Sequence, residues 1–201
     1  MRPRTRPRPA LLLLALVMVV CGCSLATKGT PLDVRYFSVE KPAITTVQRA
    51  RSATTWLRLG RVTSGGNLRS RILHRDTEHE ILEYEGLRWT EYPEEYARRT
   101  LLRALFEDKP LDQAVGGNVP TLDVELVSFE EVRRGAKRAG RVELHYQLHD
   151  DHWMIASGVV AVERDAAASD IEPVVAAISA ALDDASTQLA GTVAARLVRA
   201  P

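Results

Sequence analysis

Residues 121–163 read TLDVELVSFEEVRRGAKRAGRVELHYQLHDDHWMIASGVVAVE, and three parts of this stretch have the pattern of β-strands. In 121–133 and 141–148, apolar and polar side chains alternate, as they do where one face of a strand is buried. The third part, 153–163, is mostly apolar and is interrupted by Gly158. Asp150–Asp151 separates the second part from the third and is typical of a hairpin turn. The stretch therefore predicts three strands joined by short connections.

A long helix is predicted after these strands, over Ile171–Val198. Its apolar residues recur at alternating steps of four and three, at Ile171, Val175, Ile178, Leu182, Ala185, Leu189 and Val193. Such a stripe can form a coiled-coil seam between subunits, or it can cover the sheet of its own chain. We favour the second interpretation, because it is the commoner packing.

The first half of the chain repeats the order of strands followed by a helix. Strands are predicted at Val34–Glu40, Thr54–Thr63 (with Gly60 marking a bulge), Leu68–His74 and Glu80–Tyr84. Pro93-Glu94-Glu95 suits the first turn of a helix. The backbone N–H that proline lacks would have no partner within the helix there, and acidic side chains interact favourably with the positive end of the helix dipole. The predicted fold is α+β: a mostly antiparallel sheet of six to seven strands with two main helices, in strand-strand-helix order in each half.

The N-terminal residues differ in composition from the rest of the chain. Met1–Pro9 contains four arginines and no acidic residue, and Ala10–Val20 is an unbroken apolar run of 11 residues. A basic segment followed by a short apolar run is typical of a secretory signal peptide. A permanent transmembrane helix needs about 20 apolar residues, so that interpretation is the poorer one.

Val20-Cys21-Gly22-Cys23 resembles a bacterial lipobox. The resemblance implies that residues 1–22 are removed and that Cys23 is acylated, with palmitate among the attached chains; Cys21 is a minor alternative site. An ordinary secretory signal followed by a structural cysteine is the competing interpretation, but no later cysteine exists to pair with Cys23. The predicted layout is a signal peptide at 1–22, a lipidated cysteine and short tether at 23–33, and one domain at 34–200. Ser24, in place of an aspartate, favours the periplasmic face of the outer membrane over the inner membrane.

Charge and composition exclude several classes of protein. The full chain has 27 basic and 26 acidic residues. Removal of four arginines with residues 1–22 leaves 23 basic residues and a net charge of −3. This balance argues against nucleic-acid binding, which usually requires a basic domain. No cysteine follows Cys23, so the sequence offers neither a disulfide framework nor a thiolate metal site.

Sites for catalysis or cofactors are not predicted. His145, His149 and His152 with Asp150–Asp151 form one metal-like cluster, but a hairpin turn explains the aspartates better and we predict no metal. The Gly-x-Ser-x-Gly nucleophile motif is missing, and neither Gly65–Gly66 nor Gly116–Gly117 has the spacing of a phosphate loop. We therefore expect no cofactor and no enzymatic activity.

The basic segment Arg133–Arg138 allows two interpretations. Its side chains can contact anionic lipid headgroups, where each basic residue near the surface adds about 1 kcal/mol of attraction. They can also form a solvated hairpin tip between two strands, and we favour this interpretation.

One segment resembles a known family. Arg71-Ile72-Leu73-His74-Arg75, followed by Glu83–Pro93 (EYEGLRWTEYP), is similar to the ABC-type transport auxiliary lipoproteins, in which a strand enters a Tyr…Arg-Trp…Pro segment before the first helix. Here those positions are Tyr84, Arg88, Trp89 and Pro93. The resemblance implies a subunit that works with a mammalian-cell-entry-domain protein and an ABC permease and ATPase to move lipids or other hydrophobic molecules. It also implies self-assembly, since some members form rings in the outer membrane.

The segment from Tyr84 to Pro93 has two interpretations. Tyrosine, tryptophan and arginine dominate interface hot spots, so the segment can be a docking surface. The alternative, which we favour, is a strand-to-helix corner whose aromatic rings fasten the helix to the sheet. For the whole protein we expect a non-catalytic transport auxiliary subunit. The alternative is a structural or assembly lipoprotein of the cell envelope without a transport partner.

Overall fold

The computed structural model describes residues 33–40, 55–109 and 111–199. Within them lie eight strands and two helices: β1 (Arg35–Phe37), β2 (Trp56–Ser64), β3 (Arg71–Arg75), β4 (Ile81–Trp89), α1 (Pro93–Phe106), β5 (Asp112–Gln113), β6 (Thr121–Arg134), β7 (Lys137–His149), β8 (Met154–Asp165) and α2 (Ile171–Arg199). The α+β class and the two main helices are confirmed.

The described strands form one mixed sheet with β6 at its centre. Strands β6, β7 and β8 follow one another antiparallel. The other edge of β6 is shared: β2 lies parallel to its first half and β3 parallel to its second half. Strand β4 pairs antiparallel with β3, β1 pairs parallel with β4, and β5 pairs parallel with β2.

The prediction of a mostly antiparallel sheet of six to seven strands is therefore wrong. Four of the seven pairings between described strands are parallel. The reason lies in residues 65–70 between β2 and β3. The chain does not reverse there, so that β3 continues in the direction of β2 along the same edge of β6. Strand β5 has only two residues, too few to give a recognisable pattern.

The hairpin of β6 and β7 is the longest pairing in the sheet. It runs from Thr121 opposite His149 to Arg134 opposite Lys137. Strand β7 begins at Lys137, earlier than the predicted start at Arg141, because a tight turn joins the two strands. Gly135 has φ of 63° at the first central position of this turn, a conformation that type II′ hairpins require and glycine readily adopts.

Both helices pack on the same face of the sheet. The stripe of α2 is buried against the strands, with Ile178, Leu182 and Leu189 fully or almost fully inaccessible. At Gly140 on β7, a Cβ atom would overlap the backbone of Ala177 and Ile178, so glycine lets α2 approach the sheet closely. The favoured prediction, that this helix covers its own sheet, is confirmed.

The predicted bulge at Gly60 is also confirmed. The pairing of β2 with β6 shifts register between Leu59 and Val62. Asp123 on β6 fills the irregularity, and its carboxylate accepts a hydrogen bond of 2.6 Å from the backbone N–H of Arg61. The bulge therefore uses a side chain to satisfy a backbone donor that the ladder leaves free.

Candidate functional site

The residues predicted from the family resemblance lie along β4 and at the start of α1. Tyr84, Arg88 and Trp89 belong to β4, and Pro93 is the first residue of α1, where it is buried. The predicted lipidation site, Cys23, lies outside the described residues. The four positions fall into two surroundings of different chemistry, one around Trp89 and one around Tyr84.

The surroundings of Trp89 are apolar and closed. Its side chain is 1% exposed, and its ring centre lies 5.1 Å from that of Phe129 and 6.2 Å from that of Tyr96. The hydroxyl groups of Tyr96 and Thr90 are hydrogen bonded at 2.6 Å, which joins α1 to the end of β4. A buried ring cannot serve as an interface hot spot in this conformation, so the geometry favours the strand-to-helix corner.

Arg88 is half-buried and directed at its own strand. Its Nη1 donates to the carbonyl of Leu87 at 2.9 Å and contacts the carbonyl of Tyr84 at 3.5 Å. These bonds hold the guanidinium group along β4.

The surroundings of Tyr84 are polar although they are also largely buried. Its hydroxyl donates a hydrogen bond of 2.6 Å to Glu131 Oε2. The guanidinium carbon of Arg133 lies 5.0 Å from the centre of the Tyr84 ring, and His74 meets the ring edge-on at 5.0 Å. Burial, together with the neighbouring carboxylate of Glu131, raises the pKa of Tyr84 above its ordinary value of 10.0.

Glu131 is the central residue of this cluster. It is fully buried, and besides Tyr84 its Oε2 accepts from Arg133 Nε at 2.7 Å. Its Oε1 lies 3.2 Å from Arg138 Nε, an ion-pair contact that lacks hydrogen-bond geometry. A buried carboxylate is costly to desolvate, and here two guanidinium groups and a hydroxyl offset that cost.

The preceding residue, Glu130, is also nearly inaccessible, at 1% exposure. Its Oε1 accepts from Arg75 Nε at 2.7 Å and from the Ser128 hydroxyl at 2.9 Å. Because consecutive residues of a strand point to opposite faces, the two carboxylates lie on opposite sides of β6. The residues linked on the Glu131 side of the strand form what we call the glutamate cluster, which comprises His74, Asp76, Tyr84, Glu131, Arg133 and Arg138. Glu130 forms a separate group with Arg75 and Ser128.

Asp76 links the cluster to the end of β3. Its Oδ1 lies 2.8 Å from His74 Nδ1 and 3.5 Å from Arg133 Nη1. The hydrogen bond to His74 lowers the pKa of Asp76 below its ordinary value, against a smaller opposing effect of desolvation.

The sequence analysis did not identify the glutamate cluster. The available signal was Phe129-Glu130-Glu131-Val132, where two acidic residues interrupt an otherwise apolar part of a strand. Two of their partners, Arg75 on β3 and Tyr84 on β4, are distant in sequence. Acidic residues are mostly exposed in proteins, so composition alone points away from burial.

The three arginines of the basic segment Arg133–Arg138 are paired with acidic neighbours. Both Nη atoms of Arg134 donate to the carboxylate of Glu163, at 2.7 and 3.0 Å, and Arg133 and Arg138 contact Glu131. The bond from Arg134 lowers the pKa of Glu163. Within the described residues the segment is therefore an ion-paired hairpin rather than a free basic patch.

The sheet face opposite the helices is not covered by any described element. Leu57, Leu122 and Leu144 point towards the helices and are fully buried, so their strand neighbours point to the other side. We call this uncovered surface the open face. It contains a shallow pocket of about 570 Å³, lined mainly by polar side chains of β2, β6, β7 and β8: Arg61, Thr63, Asp123, Glu125, His145, Gln147 and Ser157, together with Val159.

The histidines of the open face are engaged in local bonds. His145 Nε2 lies 2.9 Å from Glu143 Oε1, and His149 contacts the Asp150 carbonyl at 3.0 Å. In the parts of the chain that the structure describes, no group of three or more histidine, cysteine, aspartate or glutamate residues is placed to hold a metal ion. Asp150 instead shapes the hairpin turn, since its Oδ1 accepts the backbone N–H groups of His152 and Trp153, each at 2.7 Å.

The open face also lacks the geometry of a nucleophilic site within the described strands. Thr63 and Ser157 are exposed, and neither hydroxyl is bonded to a histidine or carboxylate there. Nucleophilic catalysis by serine or threonine requires such a base. The charged and hydrogen-bonding groups that line the pocket are suited to contacts with another polar surface.

Solved structures with the same fold include a protein from Xanthomonas campestris. It is 19% identical to this chain with a TM-score of 0.67, covering 81% of this chain and 96% of that protein. A second solved structure, of an uncharacterized protein, is 14% identical with a TM-score of 0.64 and covers 79% and 97% of the two chains. No curated protein matches this sequence.

Neither helix of the described chain has the combination of length and hydropathy that spanning a bilayer requires. The family model for the ABC-type transport auxiliary lipoprotein component matches residues 37–190, which include every strand from β2 to β8 and most of α2. This match extends far beyond the Tyr84–Pro93 segment and covers most of the sequence. The chain therefore belongs to the family of ABC-type transport auxiliary lipoprotein components.

Proposed function

We propose that this protein is a non-catalytic auxiliary subunit of a mammalian-cell-entry type ABC system that moves lipids or other hydrophobic molecules. Family membership over residues 37–190 is the observation that carries the proposal. The lipobox-like sequence ending at Cys23 supports a membrane anchor. Two or more acyl chains anchor a protein stably, because each buried methylene contributes about 0.8 kcal/mol.

The role of the folded domain in this proposal is positional. Residues 23–33 can extend over at most about 40 Å, so the domain stays close to the membrane surface. We propose the periplasmic face of the outer membrane, on the basis of Ser24 following the lipidated cysteine. ATP hydrolysis takes place in the ABC component. This subunit holds the end of the periplasmic partner that lies farthest from the inner membrane.

The open face is the surface that we assign to the partner protein. Its pocket is lined by Arg61, Glu125, His145 and Gln147, which offer charges and hydrogen bonds. Acyl chains would leave these groups without partners after desolvation, at a cost of about 1–3 kcal/mol for each neutral group. A polypeptide surface with complementary polar groups can satisfy them, so we propose protein contact here rather than lipid contact.

The anchor and the partner are tested together by crosslinking in native membranes. The full chain is captured after crosslinking, and mass spectrometry identifies both the modified N-terminus and the proteins recovered. We expect an acylated Cys23 and a mammalian-cell-entry-domain protein or ABC permease. A Cys23→Ala variant should be recovered in the soluble periplasmic fraction.

The open face is tested in the same assay with Thr63→Lys/Gln147→Lys. Both residues are exposed, so the substitutions should leave the fold intact while placing two ammonium groups in the pocket. We expect recovery of the partner to fall at least about tenfold, the effect of losing one moderate hot spot. Ala176→Lys/Ala180→Lys, which adds the same charge to exposed positions of α2, should leave recovery unchanged.

Two outcomes would contradict the proposal. If the acylated protein brings down only outer-membrane or cell-wall proteins, the alternative of a structural or assembly lipoprotein replaces it. If the open-face and α2 variants lose the partner equally, the open face is not the docking surface.

A further inference from the structure

One end of the sheet exposes a group of large apolar side chains. Strands β2, β6 and β8 begin there and β7 ends there. We call the group the tryptophan end; it comprises Trp56 (42% exposed), Val115 (96%), Trp153 (76%) and Met154 (55%). Val115 belongs to this end because the N–H of the preceding Ala114 donates to the Leu57 carbonyl at 2.9 Å. Single exposed apolar residues are normal on a protein surface, whereas a group of them beside polar residues indicates an interaction site.

The tryptophan end borders the open face. Leu57 points towards the helices, so the preceding Trp56 points to the open face. Met154 lies opposite His149 on β7 and therefore on that same face of the sheet. Three strand spacings, about 14 Å, separate β2 from β8, and Thr121 and His149 lie between them. The strip between the two tryptophans is therefore about as wide as one helix or extended segment of another protein.

The connections at the tryptophan end have an acidic character. The turn between β7 and β8 is Asp150-Asp151-His152-Trp153, and residues 114–120 (AVGGNVP) contain no charged side chain. Neither connection has a lysine or arginine, the residues that attract a surface loop to anionic lipid. The exposed carboxylate of Asp151 instead complements a basic group. The charge of this end therefore favours a basic polypeptide over an anionic bilayer.

The tether reaches the sheet at the opposite corner. It continues into β1, which pairs with β4 at Leu87–Trp89. Five strand spacings, together with the rise along β6, put Tyr36 on β1 about 30 Å from Met154 on β8. The tryptophan end is therefore far from the point where the anchor joins the domain, which leaves it accessible to a protein that approaches through the periplasm.

We propose that the tryptophan end binds a segment of the periplasmic partner in which an apolar side chain is flanked by lysine or arginine. The inference rests on the proposed function and adds to it the chemistry of the partner segment. The apolar side chain packs against Trp153 and Met154, because a tryptophan ring buries a large area on binding and dominates interface hot spots. The basic flanks pair with Asp150 and Asp151.

The occupant is identified by photocrosslinking of the full chain in native membranes. The photoreactive residue p-benzoylphenylalanine replaces Trp153, and mass spectrometry identifies the peptide or lipid attached to it. We expect a peptide of the periplasmic partner that has lysine or arginine close to the crosslinked apolar residue. The same replacement at Tyr36, which is 66% exposed on β1, should not capture the partner. Crosslinks to phospholipid, to a second copy of this chain, or to a partner peptide without basic residues would overturn the proposal.

The contribution of the ring is tested by Trp153→Ala in the crosslinking assay of the proposed function. We expect recovery of the partner to fall at least about tenfold, the effect of losing one moderate hot spot. Tyr36→Ala removes an exposed aromatic ring from the opposite margin of the sheet and should leave recovery unchanged.

The contribution of charge is tested by Asp151→Lys. We expect recovery to fall several-fold, and to fall more at low salt than at high salt, because solvent ions screen exposed charges. Glu78→Lys reverses the charge of an exposed residue beyond the end of β3, near the opposite end of the sheet, and should have no effect.

The outcomes separate this inference from the proposed function. If the wild-type chain recovers no periplasmic partner, the proposed function fails and the inference fails with it. If the wild-type chain and Trp153→Ala recover the partner equally well, the proposed function stands and the tryptophan end is not the docking site.

Discussion

The aromatic residues Tyr84 and Trp89, towards the two ends of β4, have surroundings of opposite polarity. At the end of the strand, Trp89 packs among Tyr96, Phe129 and aliphatic side chains, and its surroundings are apolar. Five residues earlier, Tyr84 packs between His74 and Arg133 and donates a hydrogen bond to a fully buried glutamate. Both ends therefore fix β4 to the sheet, one through ring packing and the other through an ionic cluster.

This difference shows that two kinds of interaction, apolar packing and a buried ionic cluster, fix the family-like segment to the sheet. Packing around Trp89 depends on volume, since interior side chains fill space at high density. The stability of the glutamate cluster depends on every charged group keeping its partner, because a buried charge that loses its partner still carries its desolvation cost. Substitutions at the two ends should therefore differ in size and in their response to pH.

The largest effect is expected from Trp89→Ala. It removes the biggest ring of the apolar end and leaves a cavity beside Phe129. We expect the free energy of unfolding to fall by about 3–5 kcal/mol, measured by chemical denaturation. Trp153→Ala, at a 76% exposed position, should change it by less than about 0.5 kcal/mol. Similar losses in both variants would contradict the difference between a packed and an exposed tryptophan.

A smaller but still large effect is expected from Glu131→Gln. The substitution keeps the shape of the side chain but removes the negative charge that Arg133 and Arg138 share. We expect a loss of about 2–3 kcal/mol, because two guanidinium groups, each about a quarter exposed, lose the counter-charge of a fully buried carboxylate. The exposed Glu125→Gln serves as the matched control, with no measurable loss expected in the same denaturation experiment. A neutral Glu131→Gln would mean that the cluster does not stabilise the fold.

The sequence alone was sufficient to predict β6, β7, β8 and α2. Their pattern is visible because hairpins join neighbours in sequence, and because the apolar stripe of α2 faces those same strands. The partners of β2 could not be predicted in this way. Arg58 lies opposite Thr121, more than 60 residues later, and parallel pairing leaves no local turn to reveal it.

The candidate site was predicted only in part, for a related reason. Tyr84 and Trp89 were identified because the segment resembles a family motif, but the resemblance says nothing about what surrounds each ring. Glu130 and Glu131 were missed because their buried state depends on Arg75 and Tyr84, which only the folded sheet brings to them. The alternation of apolar and polar residues predicts which face of the sheet a side chain lies on, but it does not predict which charged groups from other strands contact it.

A moderate, pH-dependent effect is expected from Tyr84→Phe. Loss of the hydroxyl removes one hydrogen bond to Glu131, worth about 1–2 kcal/mol for a charged acceptor at a half-buried site. The fold raises the pKa of Tyr84, so the folded state holds the proton more tightly than the unfolded chain does. The contribution is therefore fully present below pH 10 and lost as the pH rises through the folded pKa.

The measurement for this variant is the difference in unfolding free energy between wild type and Tyr84→Phe, followed from pH 7 to pH 11. The difference should be constant up to about pH 10, the ordinary pKa of tyrosine, and shrink above it. Tyr36→Phe, at an exposed tyrosine on β1, should show no difference at any pH. A difference that grows above pH 10 would contradict the assigned role of the hydroxyl.

The smallest effect is expected from Arg134→Gln, which sharpens the contrast between buried and exposed ion pairs. Arg134 is more than half exposed, and its bond lowers the pKa of Glu163 below the ordinary 4.5. The folded state therefore releases this proton more readily than the unfolded chain. The contribution is present above pH 4.5 and lost as the pH falls through the folded pKa. Arg141 still contacts Glu163 at 3.2 Å in the variant, so part of the stabilisation remains.

Thermal unfolding of wild type and Arg134→Gln at several pH values and salt concentrations checks this prediction. We expect the variant to melt slightly lower at pH 7, with the difference vanishing as the pH falls through the folded pKa of Glu163, which lies below 4.5. Added salt should reduce it as well, because solvent ions screen exposed charges within about 10 Å at 0.1 M. Glu131→Gln should lose far more stability and respond little to salt, since its partners are shielded from solvent. If both variants respond equally to salt, the glutamate cluster is open to solvent and the distinction between the two ends of β4 no longer holds.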